Sequence, residues 1–170
     1  MNIPPELSDA PEYDYSNDDY RGNTDCFSDW AKQFASCIAP KPSKTIDLGD
    51  INGNVESRKY MGWKSNSIAS VGDISGGVGR MAFQGCTNLT SVGDIGGDVG
   101  TNAFYDCEKL ETVGDISGSV EYNAFHNCTS LTTVGEISGG VRGDVFKGCD
   151  KLKTVNGMPL AEFLSSRMRR

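Results

Sequence analysis

Apolar residues in this chain recur at a fixed long step, not at the short period of a lone helix or strand. VGDI begins at Val71, Val92 and Val113, and VGEI at Val134, each 21 residues after the last. The same step separates Phe83, Phe104, Phe125 and Phe146, then Cys86, Cys107, Cys128 and Cys149, then Leu89, Leu110, Leu131 and Leu152. The unit reads L-x-x-V-G-D-I-x-G-x-V-x-x-x-A-F-x-x-C-x-x. So small a unit cannot enclose a core, so its apolar columns must stack on copies above and below. The segment T-S-V-G-D-I predicts a short strand and a tight exit, and strands of successive coils would lie about 4.8 Å apart in a parallel ladder. Residues 102–107, N-A-F-Y-D-C, predict a helical or 3₁₀ turn with Phe and Cys on one side.

Glycine falls into two of the columns: Gly49, Gly72, Gly93, Gly114 and Gly135, then Gly53, Gly76, Gly97, Gly118 and Gly139. A glycine at one corner of every coil predicts positive φ or a close approach there. No proline lies between Pro42 and Pro159, as ladders of backbone N–H groups require.

The signature A-F-x-x-C-x-x-L-x-x-V, here Ala103 through Val113, resembles BspA-type leucine-rich repeats over roughly residues 45–158. The unit is shorter than the family's usual one, with V-G-D-I in place of V-x-I-P, so the turn leaving the strand is rebuilt. The resemblance implies a right-handed solenoid that binds proteins, often in microbial surface adhesion. The expected fold is therefore an α/β repeat: a right-handed leucine-rich-repeat stack with short parallel strands, short helical or 3₁₀ turns and helical end caps.

The ends of the stack look different from its middle. Leu48–Val55 keeps the corner, but the next VGDI follows at Val71, and Met61-Gly62-Trp63-Lys64-Ser65 stands where Phe and Cys are expected. Residues 24–38 place Phe27, Trp30, Phe34, Cys37 and Ile38 on one helical face, with Thr24 or Asp25 as N-cap. That face either caps the stack or docks a partner through Trp30 and Phe34. At the other end Pro159 is expected to open a second helix. The organisation expected is an acidic tail over 1–22 with six acids and three tyrosines, a capping helix over 23–43, the solenoid over 44–158 and a basic cap helix over 159–170.

Composition narrows the function. No stretch approaches the roughly 18 apolar residues of a membrane span, and the N-terminus shows no basic, apolar leader, so a cytoplasmic protein is expected. The net charge of −7 is polarised: residues 1–141 hold 20 acids and 9 bases, residues 142–170 hold 3 and 7. An acidic body argues against direct nucleic-acid binding and permits a partner with a basic surface or head-to-tail association, and with the exposed end columns it also allows a homodimer.

Candidate chemistry is sparse. Four cysteines in one line cannot supply the tetrahedron zinc prefers, and Cys26 and Cys37, about 16 Å apart on one predicted helix, cannot bridge each other. Buried structural thiols are expected, with no metal or cofactor. His126 is the only histidine and no nucleophile accompanies it. No phosphate-binding glycine loop is present, so no catalytic residue is assigned and an enzyme is not expected. The acid column Asp50, Asp73, Asp94, Asp115 and Glu136 has two readings. Each carboxylate could accept N–H bonds in an Asx-type turn at its own corner, or the column could imitate a nucleic-acid backbone. Columns that vary between copies hold Arg80, Thr101, Tyr122 and Gly143, and Gln84, Tyr105, His126 and Lys147. The second should face solvent, and Tyr105, Tyr122 and His126 could form one aromatic patch.

These observations predict a non-catalytic protein-interaction module. Its candidate partner-binding residues are Tyr105, Tyr122, His126, Asp73, Asp94, Asp115, Glu136, Trp30 and Phe34. Two alternatives stand beside it: an intracellular inhibitor, of phage or mobile-element type, that blocks a nucleic-acid-handling protein by acidic mimicry, and a microbial adhesion protein.

Overall fold

The computed structural model describes residues 45–61 and 67–167. The expected tail over 1–22 and capping helix over 23–43, with Trp30 and Phe34, lie outside the described residues, as does Trp63. Six two- to four-residue strands run parallel in chain order: β1 (Ile46–Asp47), β2 (Ile68–Val71), β3 (Ser91–Val92), β4 (Thr112–Val113), β5 (Thr133–Val134) and β6 (Thr154–Val155). Val71 pairs with Val92, then Val113, Val134 and Val155 follow in register. A slip of one residue would turn every valine out of the core, so the pattern itself fixes the pairing. Single bridges extend two further ladders, Ile51–Ile74–Ile95–Ile116–Ile137 and Val55–Val78–Val99–Val120–Val141. The result is the expected α/β repeat solenoid.

The core is the set of repeated apolar columns, nearly all fully buried. Phe83, Phe104 and Phe125 stack with ring centroids 5.2 Å apart and planes within 2°, and Phe146 follows at 5.6 Å. That step is close to the strand spacing, so one coil of rise sets the ring contact. At the first coil the sequence-based expectation is corrected. Tyr60, not a residue of the Met61–Ser65 run, takes the phenylalanine place and stacks on Phe83 at 5.0 Å. The first coil therefore keeps step as far as Tyr60 at an offset of 23 residues, and its extra length falls between Tyr60 and β2.

The four described cysteines are free and buried, as expected. They are also donors: Cys107 Sγ–H bonds the Phe83 carbonyl at 3.1 Å, Cys128 the Phe104 carbonyl at 3.2 Å and Cys149 the Phe125 carbonyl at 3.0 Å. Each carbonyl already accepts an N–H of its own turn, as Phe83 does from Cys86 at 3.1 Å. Burial pushes the Cys107 and Cys128 thiols well up, which keeps them protonated for this role.

The segment carrying Phe and Cys does not close into a helix. Its 3₁₀ character survives only as isolated i→i+3 bonds, such as Ala103 N–H to Gly100 O at 3.1 Å and Cys107 N–H to Phe104 O at 3.2 Å. Between them, Asn102 and Asp106 have φ of 58° and 59°, which turns alternate N–H groups toward the next coil. Asn102 bonds the Tyr122 carbonyl at 3.1 Å, Phe104 that of Ala124 at 2.8 Å and Asp106 that of His126 at 3.0 Å. Asn123, Asn127 and Asp144 repeat the conformation, using the side chains that tolerate the left-handed region best after glycine.

The stack ends on a hairpin. Asn156 and Gly157 have φ of 52° and 71°, the signature of a two-residue type I′ turn, and reverse the chain into β7 (Met158–Pro159), antiparallel to β6. Pro159 is therefore a strand residue opposite Thr154, and the helix α1 (Leu160–Arg167) starts one residue later than expected. Proline suits a terminal strand because its outer edge needs no donor. Phe163 of α1 is fully buried in the core cluster, which closes this end of the stack.

Candidate functional site

Two surfaces of the solenoid hold the predicted residues other than Trp30 and Phe34. The first is the corner edge after each strand, with Asp50, Asp73, Asp94, Asp115 and Glu136 exposed in one line. Each aspartate accepts a backbone N–H, but not within its own corner. Asp50 Oδ1 takes the N–H of Asp73 at 3.0 Å, Asp73 that of Asp94 at 2.9 Å, Asp94 that of Asp115 at 2.8 Å and Asp115 that of Glu136 at 2.7 Å. The expected local Asx turn is thus replaced by a forward relay from coil to coil. A second relay runs beside it, where Asn54 accepts from Gly77 at 2.8 Å and Asp98 from Ser119 at 2.7 Å.

The relay explains the adjacent glycines. A Cβ on Gly93 would collide with Asp73 Oδ1 and lie 2.7 Å from the Gly72 carbonyl carbon, and Gly114 and Gly135 meet the same obstruction. Of the two expected corner columns only Gly49 and Gly53 have positive φ. Close approach, rather than left-handed backbone, selects glycine in the other coils. At the last full coil Asn156 supplies what a further coil would have given. Its Oδ1 accepts the Ile137 N–H at 2.8 Å and its Nδ2 donates to the Ile137 carbonyl at 3.2 Å.

The second surface is the turn face, residues 79–86, 100–107, 121–128 and 142–149. It holds Tyr105 and His126 at the same place in successive coils, with rings stacked at 4.9 Å and 26°. Tyr122 is the exposed large hydrophobic side chain among the described residues, at 52% exposure. A Cβ on Gly143 would lie 3.8 Å from the Tyr122 ring, an ordinary contact distance, so the ring lies over the next coil there. Arg142 and Glu121 pair at 3.5 Å beside it. Gln84, expected at the surface with its column, is instead 4% exposed, between the coils of Met61 and Tyr105.

Three buried side-chain atoms in the described residues have no hydrogen-bond partner: Gln84 Oε1, Asn102 Oδ1 and His126 Nδ1. All three belong to the turn face. Asp106, which is not among the residues predicted from the columns, is part of the same group. It accepts from Asn127 Nδ2 at 3.0 Å, and burial, aided by Glu108, pushes its carboxyl above the usual range. Burial, reinforced by the Asp106 charge, raises the Tyr105 hydroxyl. Burial and the Lys147 cation hold His126 below the ordinary histidine value, against the opposite pull of Asp106 and Asp144. The signal that could have found Asp106 and Asn127 is the recurrence of Asn, Asp or Gly two residues after the phenylalanine.

No group of three or more metal-ligating side chains is assembled among the described residues, and no described helix is long and apolar enough to cross a membrane. A family model for the BspA type leucine rich repeat region matches residues 66–167 in six copies. No curated protein and no solved structure matches the chain.

Proposed function

The chain belongs to the BspA-type leucine-rich repeat family, and from that premise we propose that it is a non-catalytic scaffold whose turn face takes a protein partner. One observation carries the choice of face. The three buried unpartnered polar atoms and the exposed Tyr122 gather on that one side of the stack. Buried polar groups without partners are uncommon in a settled structure and cost stability, so their concentration supports a surface that is completed by something else. An exposed tyrosine and a stacked tyrosine–histidine pair on one face have the composition of an interface. The acid column has a structural occupation already, because one oxygen of each aspartate holds the next coil.

The test is capture from the native host with immobilised protein. Tyr105→Ala and Tyr122→Ala are expected to weaken retention of a specific partner by about 2 kcal/mol, some thirtyfold. Asp73→Asn with Asp94→Asn and Asp115→Asn, which keep the accepting oxygen, are expected to leave retention unchanged. The reverse pattern would move the site to the corner edge and favour an acidic inhibitor of a basic partner.

A further inference from the structure

We propose that His126 is a proton-operated latch on the turn face, holding Tyr105 in a stacked, binding-competent arrangement while neutral and releasing it when charged. The proposal rests on the reading that this face takes the partner, and it adds a means of regulation.

The geometry is specific. The imidazole lies against the Tyr105 ring at 4.9 Å, and its Nδ1 is buried with no partner. An unprotonated Nδ1 tolerates that position as an idle acceptor, so the neutral ring carries its proton on Nε2. Protonation would create an Nδ1–H donor inside the fold with nothing to receive it, and a buried unmet donor is costly. The charge would also arise beside Lys147 of the following coil.

Two carboxylates offer a way out: Asp106 on the Tyr105 coil, with Glu108 near it, and Asp144 on the Lys147 coil. The charged ring is drawn toward one of them, and the latch consists of that movement, by which the imidazole leaves the Tyr105 ring. Attraction between imidazolium and the tyrosine ring is modest at a partly exposed site and does nothing for the buried Nδ1–H. The cluster therefore has two arrangements, and the proton count on one ring selects between them.

The chain has a single histidine, so its titration can be followed without ambiguity. The experiment is an NMR titration of the free, full-length protein with labelled histidine and tyrosine, the Tyr105 signals being identified by Tyr105→Phe. The His126 midpoint is expected below the ordinary value of about 6.5, with the Tyr105 ring signals moving at the same midpoint. Lys147→Gln should raise that midpoint, and His126→Gln should leave the Tyr105 signals independent of pH in this range. An ordinary or elevated midpoint, or Tyr105 signals that ignore the titration, would overturn the latch. Because no partner takes part, loss of the binding reading, seen as intact capture by Tyr105→Ala, is a separate result.

Discussion

The corner edge and the turn face are built by the same repeat and solve opposite problems. At the corner the aspartate side chain is spent on the next coil: one of its oxygens meets a backbone N–H, and glycine keeps the approach open. On the turn face backbone bonds also run from coil to coil, but the side chains between them are free to differ. Gln84, Tyr105, His126 and Lys147 occupy one column without disturbing the stack. The column can vary where the main chain makes the joint, whereas the aspartate that makes it in successive coils is kept from Asp50 to Asp115.

Paired glycines give the sharpest way to break this contrast. Gly114→Ala forces a methyl against the preceding corner and is expected to cost about 3 kcal/mol in urea unfolding. Gly143→Ala meets only the Tyr122 ring at contact distance and should change stability by less than about 0.5 kcal/mol. Equal costs would mean that the two surfaces are not mechanically distinct. Asn156→Ala comes next. It leaves the Ile137 N–H and carbonyl unserved, for an expected loss of about 2 kcal/mol by the same measurement.

Asp94→Ala should cost about 1 kcal/mol, whereas Asp94→Asn, which retains the acceptor, should cost almost nothing. If the asparagine were as harmful as the alanine, the charge and not the hydrogen bond would hold the corner. The smallest effect belongs to the turn face. Because the folded pKa of His126 lies below the unfolded one, its contribution to stability is complete above about pH 6.5 and is lost progressively as pH falls below that. Asp106 acts in the other sense, since its raised carboxyl makes the fold relatively better as pH falls toward 3.8. His126→Gln should remove the first slope from unfolding curves measured between pH 7 and pH 5, and the Asp106 slope should persist when the same curves are extended toward pH 3.8.

Much of this was legible because stacking demands identity. Val, Ile, Phe, Cys and Leu had to recur at one step, and their columns are the core. The aspartate relay was not legible by local rules, because its bonds join residues 21 apart and an Asx turn is the short-range use of the same side chain. Of the two glycine columns only Gly49 and Gly53 take positive φ, whereas on the turn face it falls on Asn102, Asp106, Asn123, Asn127 and Asp144, where a polar side chain makes it tolerable, and on Met81 as well. Tyr60 escaped because the extra residues of the first coil follow it rather than precede it. The Tyr105–His126 contact followed directly from the period, but the buried Nδ1 did not, since burial depends on how neighbouring coils lean.

The Asn156 amide also bears on how such a gene can change in length. It presents to Ile137 an acceptor and a donor, as a further peptide group would, so the final coil is finished by a substitute rather than left waiting for another. Duplication or deletion of a whole 21-residue block upstream would rejoin matching seams on both sides. Extra coils placed after the hairpin would find no ladder to continue. The stack can be lengthened from within, and the hairpin after its last coil carries the punctuation.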